Sequence, residues 1–314
     1  MRDCRNLSSI ERDVGVRISG EVRGALERGG PVVALESTII SHGLPHRQNR
    51  EAATAFESIL RESGVIPATI AVLDGMPYIG LDGEGIRRIA EEPMTKASVR
   101  DLPVLAAKRQ SAATTVAATS FLAHLVGIRV FATGGLGGVH RGASQSYDES
   151  ADILTLASTP ITVVSAGVKS VLDIGATLER LETLSIPVIG FGTSVFPRFW
   201  LRESDARLDW SVDSAKEVAQ IMRARDRLGL AQGIVLANPV PAELAWDVGE
   251  HDRILAAALE TAEAQGITGK AVTPFLLQEI VKLSGGRSLE VNLDLARNNV
   301  RVAGDVAKAW AVLA

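Results

Sequence analysis

Lysine is scarce in this chain. Of 33 Lys and Arg residues among 314, seven are lysine, at positions 96, 108, 169, 216, 270, 282 and 308. Arginine can solvate the surface, so a lysine in a strand-end turn stands out as a candidate reacting group. Cysteine is scarcer still: Cys4 is alone, which excludes an intrachain disulfide framework and a cysteine-ligated metal. Basic surplus is absent too. The formal net charge of −4 leaves no electrostatic footprint for a nucleic-acid polymer. No run approaches the roughly 18 apolar residues of a membrane span, and residues 1–13 are charged, without the apolar stretch of a signal peptide. A cytoplasmic protein with no membrane partner is the expectation.

What is present is apolar and periodic. Hydrophobic residues make up 46% of the chain, ample for a sizeable core. Short β-branched runs at Val32–Leu35, Ile70–Leu73, Arg129–Ala132, Ile161–Val164, Pro187–Phe191 and Ile234–Leu236 read as buried strands. Helical patterns lie between them. Ile18, Val22, Ala25 and Leu26 mark the first, stopped by Gly29-Gly30; others cover about 49–63, 113–126, 171–184, 213–228, 253–265, 274–284 and 288–312. Alternation of this kind predicts an α/β fold with a mostly parallel sheet covered by helices on both faces. Residues 1–13 are expected to be a flexible N-terminus and 14–314 a single catalytic domain. The least regular stretch, 193–212, holds Phe196, Phe199, Trp200 and Trp210; it fits a lid, an oligomer contact or a surface loop packed on its own aromatics.

Ligands of open parallel sheets bind beyond the carboxyl ends of the strands, so chemistry is sought just after each run. Glu36 ends the first strand, where a buried carboxylate suits either a general acid or a cap on the following turn. Lys96 lies in a segment without period and reads as a loop lysine. The helix opening at Ala113–Ala117 carries Thr residues suited to capping. Thr133–Gly142 has four glycines within five positions, then His140 and Arg141: an anion-binding loop or a plain turn, but neither a Rossmann fingerprint nor a Walker A motif. Asp148, Glu149 and Asp152 place three carboxylates within five residues, either oxygen ligands for a hard cation or a solvated acidic loop. Lys169 follows an apolar strand and precedes a helix. Desolvation and the helix dipole there would lower an amine's pKa toward a nucleophile; a snorkelling lysine is the bland alternative.

Taken together, these segments resemble the pseudouridine-5′-phosphate glycosidase family, also known as indigoidine synthase A-like. The similarity runs from about residue 15 to the C-terminus. It rests on Val33–Gly43, Ala132–Gly142, Asp148–Asp152 and Ser165–Ser170, and on Ala237–Pro241, Thr268–Pro274, Asn292 and Asn298-Asn299. The resemblance implies an α/β/α homotrimer that reversibly cleaves the C–C glycosidic bond of pseudouridine 5′-phosphate to uracil and ribose 5-phosphate, with Mn²⁺ or a similar divalent cation. By the same resemblance Glu36 is the proton donor, Lys169 the Schiff-base nucleophile and Asp148 the metal ligand. Lys96, Val116, Ser150, Ala151, Asp152, His140 and Asn292 fall at substrate-binding or other active-site positions.

A C–C glycosidic bond has no leaving heteroatom to protonate, so the paired-carboxylate scheme of ordinary glycosidases does not suffice. An amine on C1′ supplies an iminium electron sink instead. The chain departs from the family at Pro45-His46-Arg47 and at Glu149, a charge beside the implied metal ligand. Another Schiff-base lyase or aldolase acting on a sugar phosphate, and a non-catalytic sugar-phosphate binder, are the competing readings.

Overall fold

The computed structural model describes residues 7–42, 46–267 and 272–313. Cys4, Gly43, Pro45 and residues 268–271, which the sequence reading invoked, lie outside the described residues. Eleven strands join in one sheet: β1 (Arg17–Ile18), β2 (Val32–Leu35), β3 (Ile66–Leu73), β4 (Met76–Ile79), β5 (Thr95–Ala97), β6 (Ala112–Thr114), β7 (Val130–Ala132), β8 (Thr162–Ser165), β9 (Val188–Phe191), β10 (Trp210–Val212) and β11 (Ile234–Ala237). Their order is β1-β4-β3-β2-β7-β8-β11-β9-β10, with β6 paired to β3 and β5 to β6. From β3 through to β10 every pairing on that path is parallel. Helices flank the sheet: Arg287–Leu313 packs on β2, β7 and β8, and Val116–Leu125 on β2 and β3. None of the described helices is long and apolar enough to cross a membrane.

The six apolar runs all became strands, and β2, β7, β8 and β11 are buried at every position, as strands covered on both faces must be. The short strands β1, β4, β5, β6 and β10 escaped the sequence reading. For β4 a local signal existed. Asp74-Gly75 separates it from β3, and both residues have positive φ, 53° and 82°, as a two-residue hairpin turn requires. The β3–β4 pair is accordingly antiparallel.

Register aligns the strand ends. Leu35 pairs with Ala132, Ala132 with Val164, and Ser165 with Ala237. The first residues beyond these strands, Glu36, Thr133, Ala166 and Asn238, therefore lie along one edge of the sheet, Ala166 and Asn238 one register step further out than Glu36 and Thr133. The long C-terminal helix pins that row. Asn299, fully buried, donates from Nδ2 to the carbonyls of Thr133 and Gly134 at 2.8 and 3.3 Å. Its Oδ1 accepts from Asn238 Nδ2 at 2.9 Å, and Asn238 N donates to Ser165 O at 2.8 Å.

Three aromatics of the stretch 193–212 face the interior while most of its other residues stay half-buried or exposed. Phe196, Phe199 and Trp200 are at most 2% exposed, and Phe199 N donates to Ala166 O at 2.9 Å. Trp200 packs edge-on against Trp246 with ring centroids 5.6 Å apart. Trp210, by contrast, is 69% exposed on the edge strand β10.

Asn299→Ala would leave a buried amide and two carbonyls short of partners. Unpaired buried groups cost about 1–3 kcal/mol each before relaxation, so a loss of about 2–4 kcal/mol is expected in urea unfolding. An unchanged midpoint and slope would show that the row of strand ends holds without this pin.

Candidate active site

Glu36 emerges from β2 only 6% exposed. Its carboxylate accepts hydroxyl hydrogen bonds from Thr133 on one oxygen and Thr38 on the other. It is therefore held by two side chains rather than by the backbone donors of its own turn. Neither threonine was singled out from sequence. Thr133 could have been, because strand register places it beside Glu36.

Lys169 lies at the β8 exit, half-buried. Its Nζ donates to Gly135 O at 3.1 Å, and its backbone N to Leu136 O at 3.2 Å. The turn leading to it is tight. Gly167 has φ +83°, and a Cβ there would lie 2.2 Å from Pro197 O, so only glycine fits.

Lys96 is not a loop residue: it lies on β5, opposite Ala113 of β6. The strand was missed because three residues carry no measurable alternation. Lys96 is exposed by area, yet surrounding protein pushes its amine below the ordinary lysine value. Desolvation is the largest cause, followed by the charge of Lys169, while Asp152 and Glu36 act in the opposite direction. Its solvent-open side limits the size of the effect. The four residues thus share one electrostatic neighbourhood.

Asp152 is 6% exposed and works as a tie. One oxygen accepts from Ala117 N at 2.9 Å and the other from Gly137 N at 2.8 Å. Val116, 2% exposed, is the first residue of the helix so capped. Ser150 Oγ accepts from Asp152 N at 3.2 Å, and Ala151 is the exposed start of the helix Ala151–Leu156.

The Gly-rich loop is less of an anion cradle than its sequence suggests. Leu136 N donates to Gly167 O, Gly137 N to Asp152, Val139 N to the Thr177 hydroxyl, and His140 N to Asp148 O. The glycines serve close packing instead: a Cβ on Gly137 would lie 2.3 Å from Ser150 Oγ. Asn292 adjoins the loop. Its buried Oδ1 has no hydrogen-bond partner among the described residues, and a Cβ on Gly134 would lie 3.3 Å from it.

The acidic cluster does not converge. Asp148 faces His140, Oδ2 to Nδ1 at 3.8 Å. Glu149 turns away to Arg180 Nε at 2.9 Å, and Asp152 is occupied by backbone. Among the described residues no three His, Cys, Asp or Glu side chains gather as a metal site. Sequence spacing overstated the cluster because alternate residues of an extended segment face opposite sides. A cavity of about 810 Å³ opens at the opposite ends of the strands, lined by Pro31, Arg129 and Trp310 among others; it contains none of these residues.

Residues 21–309 match the family described as indigoidine synthase A like protein. The chain belongs to that family. Relatives named pseudouridine-5′-phosphate glycosidase include one from Frankia alni, 60% identical over 94% of this chain and 82% of its own length. Another, from Saccharopolyspora erythraea, is 56% identical over 94% and 97%. Among solved structures, the prealnumycin C-glycosynthase AlnA in complex with ribulose 5-phosphate is 34% identical, with a TM-score of 0.88 over 95% of this chain and 97% of that one. An indigoidine synthase A-like protein from Thermotoga maritima is 38% identical, with a TM-score of 0.84 over 93% and 96%.

The Lys96 setting makes a stability prediction. Its folded-state pKa lies below the unfolded value, so the wild type gains stability as pH rises through that window. Lys96→Met should raise the urea midpoint at neutral pH, and the gain should shrink as pH approaches the ordinary lysine value of 10.5. A gain that stays constant with pH would contradict the electrostatic account.

Proposed function

We propose that the chain is a pseudouridine-5′-phosphate glycosidase that works through a Schiff base on Lys169. The observation that carries this is that Glu36, Lys169 and Asp152 all lie within charge reach of Lys96, two lysines in a chain that has seven. The names borne by relatives up to 60% identical support the substrate, and ribulose 5-phosphate bound to AlnA supports a sugar phosphate in the same fold.

Glu36 donates a proton to the ribose ring oxygen as the C1′–O4′ bond opens. The amine of Lys169 forms a bond to C1′ and sheds a proton. The uracil carbon then takes a proton as the C1′–C bond breaks, its electron pair going to the base while the nitrogen lone pair forms the iminium. Water adds to the iminium, releasing ribose 5-phosphate and the free lysine. Lys96 stays cationic to meet the phosphate, a ligand that would offset the desolvation of its ammonium. Asn292 Oδ1, unpartnered and buried, suits a substrate hydroxyl or N–H. His140, Val116, Ser150, Ala151 and Asp152 shape the surrounding wall.

Asp148 would hold the divalent cation, Mn²⁺ or a similar ion. One carboxylate beside an imidazole fits an ion completed by water and substrate oxygens, not an all-protein cage. Such an ion, when bound, neutralises negative charge on the substrate. The pairing of Glu149 with Arg180 keeps the extra carboxylate out of that shell. Family resemblance further supports a homotrimer in the cytoplasm, which light scattering on the purified protein would check.

Incubation with pseudouridine 5′-phosphate and Mn²⁺ should release free uracil, and borohydride with ribose 5-phosphate should trap an adduct on Lys169. Lys169→Ala should lose both. Glu36→Gln should slow turnover by about 10²–10⁴, the usual range for a general acid, whereas Lys96→Ala should chiefly raise KM. An adduct mapped to Lys96, or full turnover in Lys169→Ala, rejects the mechanism. Uracil release from the substrate without any lysine adduct rejects the Schiff base alone. Separately, chelator should abolish turnover, Mn²⁺ should restore it, and Asp148→Ala should need far more metal. Full activity of Asp148→Ala in chelator would remove the metal role.

A further inference from the structure

Behind the Lys169 turn runs a chain of polar groups that this reaction does not use. Ser170 follows Lys169 directly and is 1% exposed. Its Oγ lies 3.3 Å from His251 Nε2. His251 Nδ1 lies 2.9 Å from Asp252 Oδ1, and Arg198 meets the same oxygen at 2.7 Å. The imidazole is itself 1% exposed and walled by Trp200 and Trp246, ring centroids 5.8 and 5.6 Å away.

The sequence of groups has the form of a hydrolytic triad, but its burial argues otherwise. A serine with 1% exposure offers no approach to a substrate, so Ser170 is not a nucleophile. Its neighbours suggest a different job. Arg198 also forms a bridge to Gly167, and Phe199 N donates to Ala166 O at 2.9 Å. Ala166 and Gly167 before Lys169, and Ser170 after it, are therefore all held from the same side.

Hydrogen-bond chemistry selects one arrangement of the chain. A neutral imidazole that donates from Nδ1 to Asp252 leaves Nε2 as an acceptor for the Ser170 hydroxyl. The surroundings favour that state. Burial, the largest cause, and the charges of Arg198 and Arg141 push His251 below the ordinary histidine range, against the pull of Asp252.

We propose that His251, acting through Ser170, is a positioning residue that fixes the Lys169 turn and so aims the amine. The inference rests on Lys169 being the nucleophile. Lysine needs such help because its stem is long and flexible. Its amine has one described hydrogen bond, to Gly135 O at 3.1 Å, and a bond-forming step is sensitive to small misplacement.

Ser170→Ala and His251→Phe test it, the second keeping an aromatic ring in the Trp pocket while removing the acceptor. Each should lower kcat for pseudouridine 5′-phosphate, and the rate of borohydride trapping with ribose 5-phosphate, by about 10- to 100-fold, the scale expected for a misaimed group. KM should stay within about twofold in both. The double variant should be no slower than the slower single, because both act through one contact. His251→Gln, whose side-chain oxygen can still accept from Ser170, should recover part of the rate lost in His251→Phe. Unchanged kcat in Ser170→Ala, a KM-only effect, or additive losses in the double variant each overturn the proposal. Should His251→Phe not fold, Ser170→Ala decides alone. An adduct on Lys169 in the wild type together with normal kcat in the variants sinks only the positioning role, whereas no wild-type adduct removes the nucleophile and the positioning role together.

Discussion

One carboxylate joins the parts of this site. Asp152 accepts from Ala117 N and Gly137 N and so binds the helix at 116, the Gly-rich loop after β7 and its own helix to one another. Two charge-assisted hydrogen bonds to backbone, each worth about 1.5–3 kcal/mol, make it a costly group to remove. They also place it where a negative charge steadies a helix N-terminus. Its field reaches Lys96. The carboxylate that organises the loop therefore also helps keep a cation in the cleft.

Much of the layout was legible because buried parallel strands are long apolar words. Val32–Leu35 and the other five runs announced themselves, and their carboxyl ends pointed at Glu36 and Lys169. What stayed hidden was carried by strands too short for a period. Lys96 reads as a loop residue until β5 is seen pairing with β6, and Thr133 becomes relevant only through its register with Glu36. The Gly-rich loop misled in the other direction. Its glycines suggest exposed backbone waiting for an anion, but they are set by how closely Ser150 and Thr177 approach. Composition reports that a Cβ is unwelcome; it does not report whether a ligand or a side chain takes its place.

The acidic segment shows the same limit. Asp148, Glu149 and Asp152 are neighbours in sequence and strangers in space, each taken by a different partner: His140, Arg180 and backbone amides. The departure at Glu149 is thereby absorbed. A carboxylate added beside a metal ligand would alter the site's charge, but an arginine at 2.9 Å holds it on the other side of the extended segment. Partly exposed pairs of this kind contribute little to stability, about 0–1 kcal/mol; what the pair contributes here is direction.

Two lysines within charge reach of one another create a tension that the proposed reaction can exploit. Burial is the largest cause that pushes Lys96 down, and the charge of Lys169 adds to it. Among the described residues Asp152 and Glu36 counter it, and both carboxylates are already engaged by hydroxyl or backbone donors. A phosphate dianion changes the balance, because an opposite charge within a few ångströms favours the ammonium. Binding would then stabilise the cation at Lys96, whose side chain opens to solvent on β5. In the proposed reaction the amine at Lys169, held against Gly135 O, forms the bond. Separate placement of the two lysines, one on a short edge strand and one in a tight turn, would then divide anion recognition from bond formation without requiring either residue to change role during the cycle.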